Sequence, residues 1–512
     1  MISKHDRSAE LIAPGYALTT LAEVVEGHVA QTGPTRAFVY LDIGSIDREA
    51  KALREQRLLE LDEAPSRARQ IVAPGDVLVS MTRPNLNAVA MVPCSESQLV
   101  ASTGFHVLRT RWVEPKFLYY LVQTDHFIDT MSSLVQGALY PAVRPRDISN
   151  YKFMLPPKSE QYRIVKKLEE LFSDLDAGVT ELKVLQRKLE QYRQSLLKAA
   201  MEGALTADWR MARIANRRPR EIGTDLLQSI LTDRRAHWEA KQLAKFIEQG
   251  KTPPGDWRNK YPEPISLDTT DFSELPEGWV WATLSQIGWL DRGRSKHRPR
   301  NAPHLYGGPY PFVQTGDIRD SDTFVRKASI TYSEAGLAQS RLWPTKTLCI
   351  TIAANIGKTA LLAVEACFPD SVVGFLPASD AVSVEYVEYY IRTAQQKLED
   401  EAPATAQKNI NLEILERLPV PIPPMHEQLL LVERLSDSLS SVRDQDEAAA
   451  LGIRQASAQR KNILRAAFAG QLVPQEPSDE PASVLLDRIR GARVAVAEKP
   501  KTKNARQKKE RA

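Results

Sequence analysis

Apolar side chains recur in alternating steps of three and four along one stretch of the chain: Val165, Leu168, Phe172, Leu175, Val179, Leu182, Leu185, Leu189, Tyr192, Leu196 and Ala199. This is helical periodicity, and its heptad-like spacing predicts a coiled-coil seam with one phase break at Leu182 to Leu185. Pro156-Pro157 blocks a helix upstream, Ser159 is placed to cap it and Gly203 to end it. At ~1.5 Å per residue, a helix of about 42 residues is roughly 60 Å long. The pattern then returns at a constant offset of 267: Pro156-Pro157-Lys158-Ser159-Glu160-Gln161 falls on Pro423-Pro424-Met425-His426-Glu427-Gln428. The seam falls on Val432, Leu435, Leu439 and Val442, is weakened by Asp446 and Gly452, and resumes at Ile463; Gly203 falls on Gly470. A tandem duplication is the economical reading. Two equivalent long helices packed about a pseudo-two-fold axis must run antiparallel, which predicts their attached domains at opposite ends.

Upstream of each helix the halves correspond weakly. Tyr16, Thr20 and Leu21 match Trp279, Thr283 and Leu284, and Gly104-Phe105 and Tyr119-Tyr120 match Gly374-Phe375 and Tyr389-Tyr390. Short apolar runs there, Phe38–Leu41, Val77–Met81 and Leu348–Ile352, punctuated by Gly, Pro and Asn, predict strands. Residues 115–133, 384–398 and 225–249 predict helices. The fold class is α+β: two mixed α/β domains separated by two long antiparallel coiled-coil helices in a pseudo-two-fold tandem repeat. The predicted boundaries are 1–158 for the first domain, 159–205 for the first helix and 206–275 for a charged linker with its own helix. They continue with 276–424 for the second domain, 425–475 for the second helix and 476–512 for a short helix and a basic, disordered tail. Each half is thus a divergent domain followed by a better-preserved helix, which suits a protein whose helices must match while its domains read different things.

Composition narrows the function. A chain of 512 residues is too long for a single core. It has no apolar run of ~18 residues, and charges at Lys4, Asp6, Arg7 and Glu10 stand where a signal peptide needs an apolar stretch, so no membrane partner and a cytoplasmic location are expected. Cys94, Cys349 and Cys367 show no CxxC spacing and the eight histidines are scattered, so no disulfide framework or metal site is expected. With 68 basic against 64 acidic residues, net +4, any basic surface must be local. The densest basic run is Glu498–Ala512, which reads as a solvated tail or an accessory phosphate contact.

Leu275-Pro276-Glu277-Gly278-Trp279 opens the second domain; Gln407-Lys408-Asn409-Ile410-Asn411 and Leu418-Pro419-Val420-Pro421-Ile422-Pro423-Pro424 close it, and Leu464-Arg465-Ala466-Ala467-Phe468-Ala469-Gly470 ends the following helix. In these motifs and in the order of its parts, over roughly residues 15–490, the chain resembles the specificity (S) subunits of Type I restriction–modification systems. The first domain departs from that pattern, opening with Pro14-Gly15-Tyr16-Ala17-Leu18 and replacing the Gln-Lys-Asn-Ile stretch by Tyr140-Pro141-Ala142-Val143-Arg144-Pro145-Arg146-Asp147-Ile148. The resemblance implies a non-catalytic subunit whose two target recognition domains each read one half of a bipartite asymmetric site in double-stranded DNA, while the helices set the spacer. It implies docking of two methyltransferase (modification) subunits and then of restriction/translocase subunits, with S-adenosylmethionine, ATP and Mg on those partners and no cofactor on this chain.

The residues agree with a binding role. None of the Pro-Pro strings carries the Asn/Asp before and aromatic after that an adenine methyltransferase needs. Asn355-Ile356-Gly357-Lys358-Thr359 imitates the end of a P-loop but has Ile352 where the first glycine belongs. Base edges are read by Arg, Lys, Asn and Gln on loops, because these supply paired donors and acceptors. Candidates are Arg83, Asn85, Asn87, Gln136, Tyr140, Arg144 and Arg146 in the first domain, and Arg292, Arg294, Lys296, Arg298, Arg300, Asn355, Lys358, Gln407, Lys408 and Asn409 in the second. Two other readings stay open: a free-standing DNA-binding regulator, and a nuclease with an unrecognised site.

Overall fold

The computed structural model describes residues 15–54, 57–135, 141–216, 222–270, 272–353, 355–400 and 409–497. They form two compact units, Met1–Lys183 with Ala449–Ala512, and Val184–Ala448, so each long helix contributes to both.

One frame recurs in both units. The strand that opens each domain pairs antiparallel with the strand that closes it: Ala17–Thr20 with Lys152–Leu155, and Val280–Thr283 with Pro419–Ile422. Three antiparallel strands of the same order form the inner sheet: Phe105–Leu108, Val77–Ser80 and Val89–Met91 in the first, Val372–Pro377, Leu348–Thr351 and Thr359–Leu362 in the second. The predicted runs 38–41, 77–81 and 348–352 are strands, ending one residue early in the last two cases. Outside the frame the domains diverge. The first carries an inserted sheet, Leu58–Leu59, Phe38–Leu41, Gln98–Ser102 and Ala68–Val72, with a small core of Phe38, Ala68 and Val100 on one face and a core shared with the inner sheet on the other. The second carries the pair Tyr306–Phe312 and Ile330–Tyr332, where Phe312 stacks on Tyr332 at 4.0 Å. Residues 115–133 are two helices, Pro115–Leu121 and Asp125–Ser133, because the Thr124 hydroxyl accepts the Phe127 N–H and starts the second.

The long helices are Lys158–Met201 and Met425–Phe468. The first starts directly after Pro157, which leaves Ser159 inside the first turn, not at the cap; Gly203, at φ 74, ends the run in the left-handed region as expected. They are antiparallel within each unit: Arg460 pairs with Asp176 at 2.8 Å and Leu182 packs on Gly452 in one, and Gln186 donates to Asp446 at 2.9 Å in the other. Of the seam residues, Val165, Leu168, Phe172, Leu189, Leu196, Leu435, Val442 and Ile463 are buried, and Leu175, Leu182, Val432 and Leu439 half-buried. Leu185 and Tyr192 depart from the expected seam and lie exposed, because beyond the phase break their positions rotate outward. Gly452 is no defect: a Cβ there would stand 2.9 Å from the Leu182 side chain.

The repeated Glu-Gln pair explains the preserved helix start. Gln161 donates to the Pro156 carbonyl at 2.9 Å and accepts the Glu114 N–H at 3.0 Å; Gln428 donates to the carbonyls of Pro423 and Ala381 and accepts the Ser383 N–H at 2.7 Å. Each thereby joins the start of a long helix to the start of the domain's helix Pro115–Leu121 or Val384–Asp400. Glu160 accepts the Tyr16 hydroxyl at 2.8 Å, and Glu427 accepts the Trp279 indole N–H at 3.0 Å. Burial holds the Glu160 carboxyl above the usual carboxylate range, with Tyr16 and Arg163 pulling the other way.

A third repeated element emerges in the structure. Helices Gly223–Glu248 and Ala482–Ala497 carry Leu226, Leu227, Ile230 and Arg234 against Leu485, Leu486, Ile489 and Arg493. Each packs onto the opening of a domain, Gly223 so closely on Trp279 that a Cβ would stand 2.4 Å from its carbonyl oxygen. Arg234 lies flat on Trp289 at 3.8 Å and donates to the Tyr261 hydroxyl and Pro262 carbonyl; Arg493 donates to the carbonyls of Ala22 and Val25. The segment after the first helix, expected as a charged linker with a helix over 225–249, carries that helix as Gly223–Glu248 and is largely strapped down, with Trp257 stacked on Trp238 at 5.8 Å. Among the described residues no helix is long and apolar enough to cross a membrane.

Replacing the fully buried Gln428 by Met keeps its volume but leaves the Ser383 N–H and two carbonyls unpaired. The expected loss is about 2–4 kcal/mol of unfolding free energy, read by urea denaturation; an unchanged midpoint would contradict a structural role for the motif.

Candidate nucleic-acid interface

Each inner sheet presents one turn at the same place, after Val77–Ser80 in the first domain and after Leu348–Thr351 in the second. In both, the segment leading to the short helix before the closing strand is laced to that turn. Thr82 bridges Ala142, with Arg83 N–H donating to the Pro141 carbonyl at 2.8 Å and Val143 N–H to Met81 at 2.9 Å. Ala353 bridges Asn409, with Ile410 N–H donating to Ile352 at 3.0 Å. Two regions far apart in sequence thus meet in each domain, and both regions had supplied candidates. Gln136, Tyr140, Gln407 and Lys408 lie outside the described residues.

In the first turn, Arg83 and Asn87 sit at φ 48 and 44 on either side of the 3-10 turn Pro84–Leu86, a conformation that side-chain-bearing residues rarely adopt. Arg83 and Asn85 are exposed. Asn87 is not available to a ligand, contrary to expectation: it is buried, and its amide donates to the Val122 carbonyl at 2.8 Å. Arg144 is exposed at the start of helix Pro145–Ser149, its backbone N–H held by Asp147 at 2.8 Å, and Arg146 is exposed with Asp147 3.8 Å away. In the second turn the Thr351 hydroxyl accepts the Lys358 N–H at 3.0 Å and donates to the Asn355 carbonyl. Asn355 and Lys358 are half-buried. This stretch joins two strands and opens no helix, so its P-loop likeness has no phosphate cradle behind it.

The run Arg292–Arg300 leaves the end of strand Gly288–Arg292. Two of its cations are engaged: Arg300 grips Asp370 through both carboxylate oxygens at 3.0 and 2.9 Å, and Arg294 faces Asp291 at 3.7 Å. Arg298 donates to the Ser295 and His297 carbonyls, and among the described residues Arg292, Lys296 and Arg298 have no carboxylate at ion-pair distance. Among the described residues no group of three or more His, Cys, Asp or Glu side chains could hold a metal ion.

The frame, the duplicated turn and the paired helices can be set beside known proteins. Residues 66–185 and 276–443, more than half of the chain, match the family described as Type I restriction modification DNA specificity domain. The chain belongs to that family. It is 22% identical over 409 residues to the Type I restriction enzyme EcoDI specificity subunit of Escherichia coli, covering 76% of this chain and 79% of that one. It is 21% identical over 400 residues to the HindI specificity subunit of Haemophilus influenzae, covering 73% and 82%. Among solved structures, an HsdS subunit from Thermoanaerobacter tengcongensis shares the fold with a TM-score of 0.51 at 24% identity, covering 90% of this chain and 98% of that one. A chain from a type I R-M system studied for its complex assembly and conformational transition reaches 0.66 at 23% identity, covering 90% and 99%.

In this Type I specificity subunit, residues absent from the sequence candidates surround the turns. Lys51 donates to the Asn87 carbonyl at 2.6 Å from within the inserted sheet region, and Gln395 covers Gly357 of the second turn so closely that a Cβ there would stand 2.9 Å from its side chain. Neither contact has a local signal, because the partners lie 36 residues away in the first case and 395 − 357 = 38 in the second. The third repeat did have one: the spacing of Leu226, Leu227, Ile230 and Arg234 returns at a constant offset of 259.

His106, on the strand beside the first turn, stands edge-on to His28 at 5.5 Å, with Ser149 Oγ 3.3 Å from its Nε2. Burial, helped by His28, pulls its pKa down to about 4. The folded state therefore binds fewer protons than the unfolded state between about pH 6.5 and 4, and stability falls as pH falls through that window. Thermal unfolding should show the first unit losing stability from pH 6.5 to 4.5, and His106→Asn should flatten that slope; an unchanged slope would contradict the assignment.

Proposed function

We propose that each domain reads one half of a bipartite asymmetric site in double-stranded DNA, through the turn after the second inner strand and the segment laced to it. The observation that supports this most directly is the duplicated turn on unlike side chains: Arg83 and Asn85 in one domain, Asn355, Lys358 and Asn409 in the other. A common frame holds two different donor and acceptor sets in the same place, which is what reading two different half-sites requires. Arg292, Lys296 and Arg298 add phosphate or base contacts to the second half-site, and Arg144 and Arg146 to the first.

The paired long helices act as the spacer between half-sites and as the docking surface for two methyltransferase subunits, which restriction/translocase subunits then join. The chain itself carries out no chemistry; S-adenosylmethionine, ATP and Mg belong to those partners. The EcoDI and HindI relatives, each a specificity subunit of a Type I restriction enzyme, support this assignment.

Sequencing of methylated adenines in cells carrying the system tests the reading. Arg83→Ala should relax one half-site only and Lys358→Ala the other, each by about 1–3 kcal/mol of discrimination at the affected position. A change in both halves from one substitution would contradict independent domains. Four helix-forming residues added to each long helix, after Leu182 and after Leu451, lengthen it by about 6 Å. The spacer should then grow by about one or two base pairs of ~3.4 Å, with both half-sites unchanged; an active enzyme with its original spacer would show that the helices are not the ruler.

A further inference from the structure

The first domain's recognition turn is held in place from outside its own strand pair. Lys51 stands at the hairpin Ile46–Asp47/Ala52–Leu53 of the inserted region, itself at φ 53. Its Nζ donates to the main-chain carbonyl of Asn87 at 2.6 Å, and its own carbonyl accepts the Tyr119 hydroxyl at 2.9 Å. Asn87, the last residue of the turn, is gripped on its other side by the Val122 carbonyl at the end of helix Pro115–Leu121. Three residues with side chains, Lys51, Arg83 and Asn87, occupy the left-handed region here. Each such conformation is unfavourable for a residue with a Cβ and persists only where contacts over-determine it. The Lys51 ammonium adds a hydrogen bond between the inserted region and the turn to the apolar core that the two share.

We propose that Lys51 is a positioning residue for the first half-site: by holding the Asn87 carbonyl it keeps Arg83 and Asn85 in the conformation that meets DNA, and its protonation makes reading of that half-site sensitive to alkaline pH. The proposal rests on the turn being a DNA-reading element. The ammonium is surrounded by charge from several elements: Asp47 and Arg48 on its own hairpin, Arg460 from the second long helix with its partner Asp176, and Lys116, Tyr119 and Glu169 around an adjoining cavity of about 360 Å3. Burial, then Arg460 and Arg48, pull its pKa down to about 8 against the opposing pull of Asp47. A charged donor binds a carbonyl more strongly than a neutral amine does, so the grip weakens as pH rises through 8.

The test selects randomised duplex DNA on the full chain in its purified complex at pH 7 and pH 9, then sequences the bound pool. Wild type should lose about tenfold discrimination at one half-site between the two pH values, with the other half-site unchanged. Lys51→Met should show that loss already at pH 7 and no further pH response. Lys51→Arg, whose guanidinium stays charged, should keep the half-site at both pH values, which also guards against a variant that merely misfolds. Full discrimination with an unaltered pH response in Lys51→Met overturns the proposal. Arg83→Ala in the same selection separates the two failures. If Arg83→Ala relaxes the half-site and Lys51→Met does not, only the brace is wrong; if neither does, the turn is not a reading element and both ideas fall.

Discussion

Everything in this fold hangs on how a buried carboxylate at the start of each long helix is satisfied. Glu160 and Glu427 stand in the first helical turn, where unpaired backbone N–H groups and the helix dipole favour negative charge. Neither is left alone. Glu427 takes the indole N–H of Trp279, the residue just before the domain's opening strand, the Thr206 hydroxyl at 2.6 Å and the Arg210 guanidinium, the last two from the segment that follows the other long helix. Glu160 takes the Tyr16 hydroxyl, while neighbouring Arg163 closes on Asp479 at 2.5 Å, again from the segment following the other helix. A buried charge must be paired and hydrogen-bonded or it costs several kcal/mol. In each unit that requirement ties one domain's opening strand, its own helix and the trailing segment of the other half into one cluster.

That cluster explains why the helix starts match between the halves while the domains before them do not. The opening and closing strands, the Glu-Gln pair and the docking helices serve the frame, and a change in one partner strands a buried polar group in another. The inserts stand outside the Glu-Gln network and reach the frame by contacts of their own, such as Gln70 on the Phe105 carbonyl and Lys51 on that of Asn87. One domain has a four-stranded sheet with a parallel pair, the other an aromatic-stacked strand pair, and both still lead into the same inner sheet and turn. The duplicated turn stands at the junction of the two regimes. Its backbone is fixed by the frame through Thr82 and Ala142, or Ala353 and Asn409, while its side chains are free to differ.

Charge follows the same logic at smaller scale. The five cations of Arg292–Arg300 do not act as one patch, since Asp370 and Asp291 engage Arg300 and Arg294. Arg292, Lys296 and Arg298 are exposed at the edge of the sheet with no carboxylate at ion-pair distance among the described residues. A chain of net +4 can therefore present local positive charge without a global field.

The sequence by itself determined the tandem repeat, the long helices and their antiparallel sense, because a constant offset and a three-four apolar spacing follow directly from helix geometry and symmetry. It also placed Arg83, Asn85, Asn355, Lys358 and Asn409 on loops, since Gly, Pro and Asn punctuation is local chemistry. Only the tertiary structure decided which loops meet. The bridges Thr82–Ala142 and Ala353–Asn409 span dozens of residues and leave no periodic trace. It also decided that Asn87 is spent on Val122, that Leu185 and Tyr192 face outward, and that Lys51 reaches the turn from an insert with no counterpart in the other half. The reason is physical: burial and hydrogen-bond partnership belong to pairs of residues brought together by packing, and a one-dimensional pattern records only what each residue would accept.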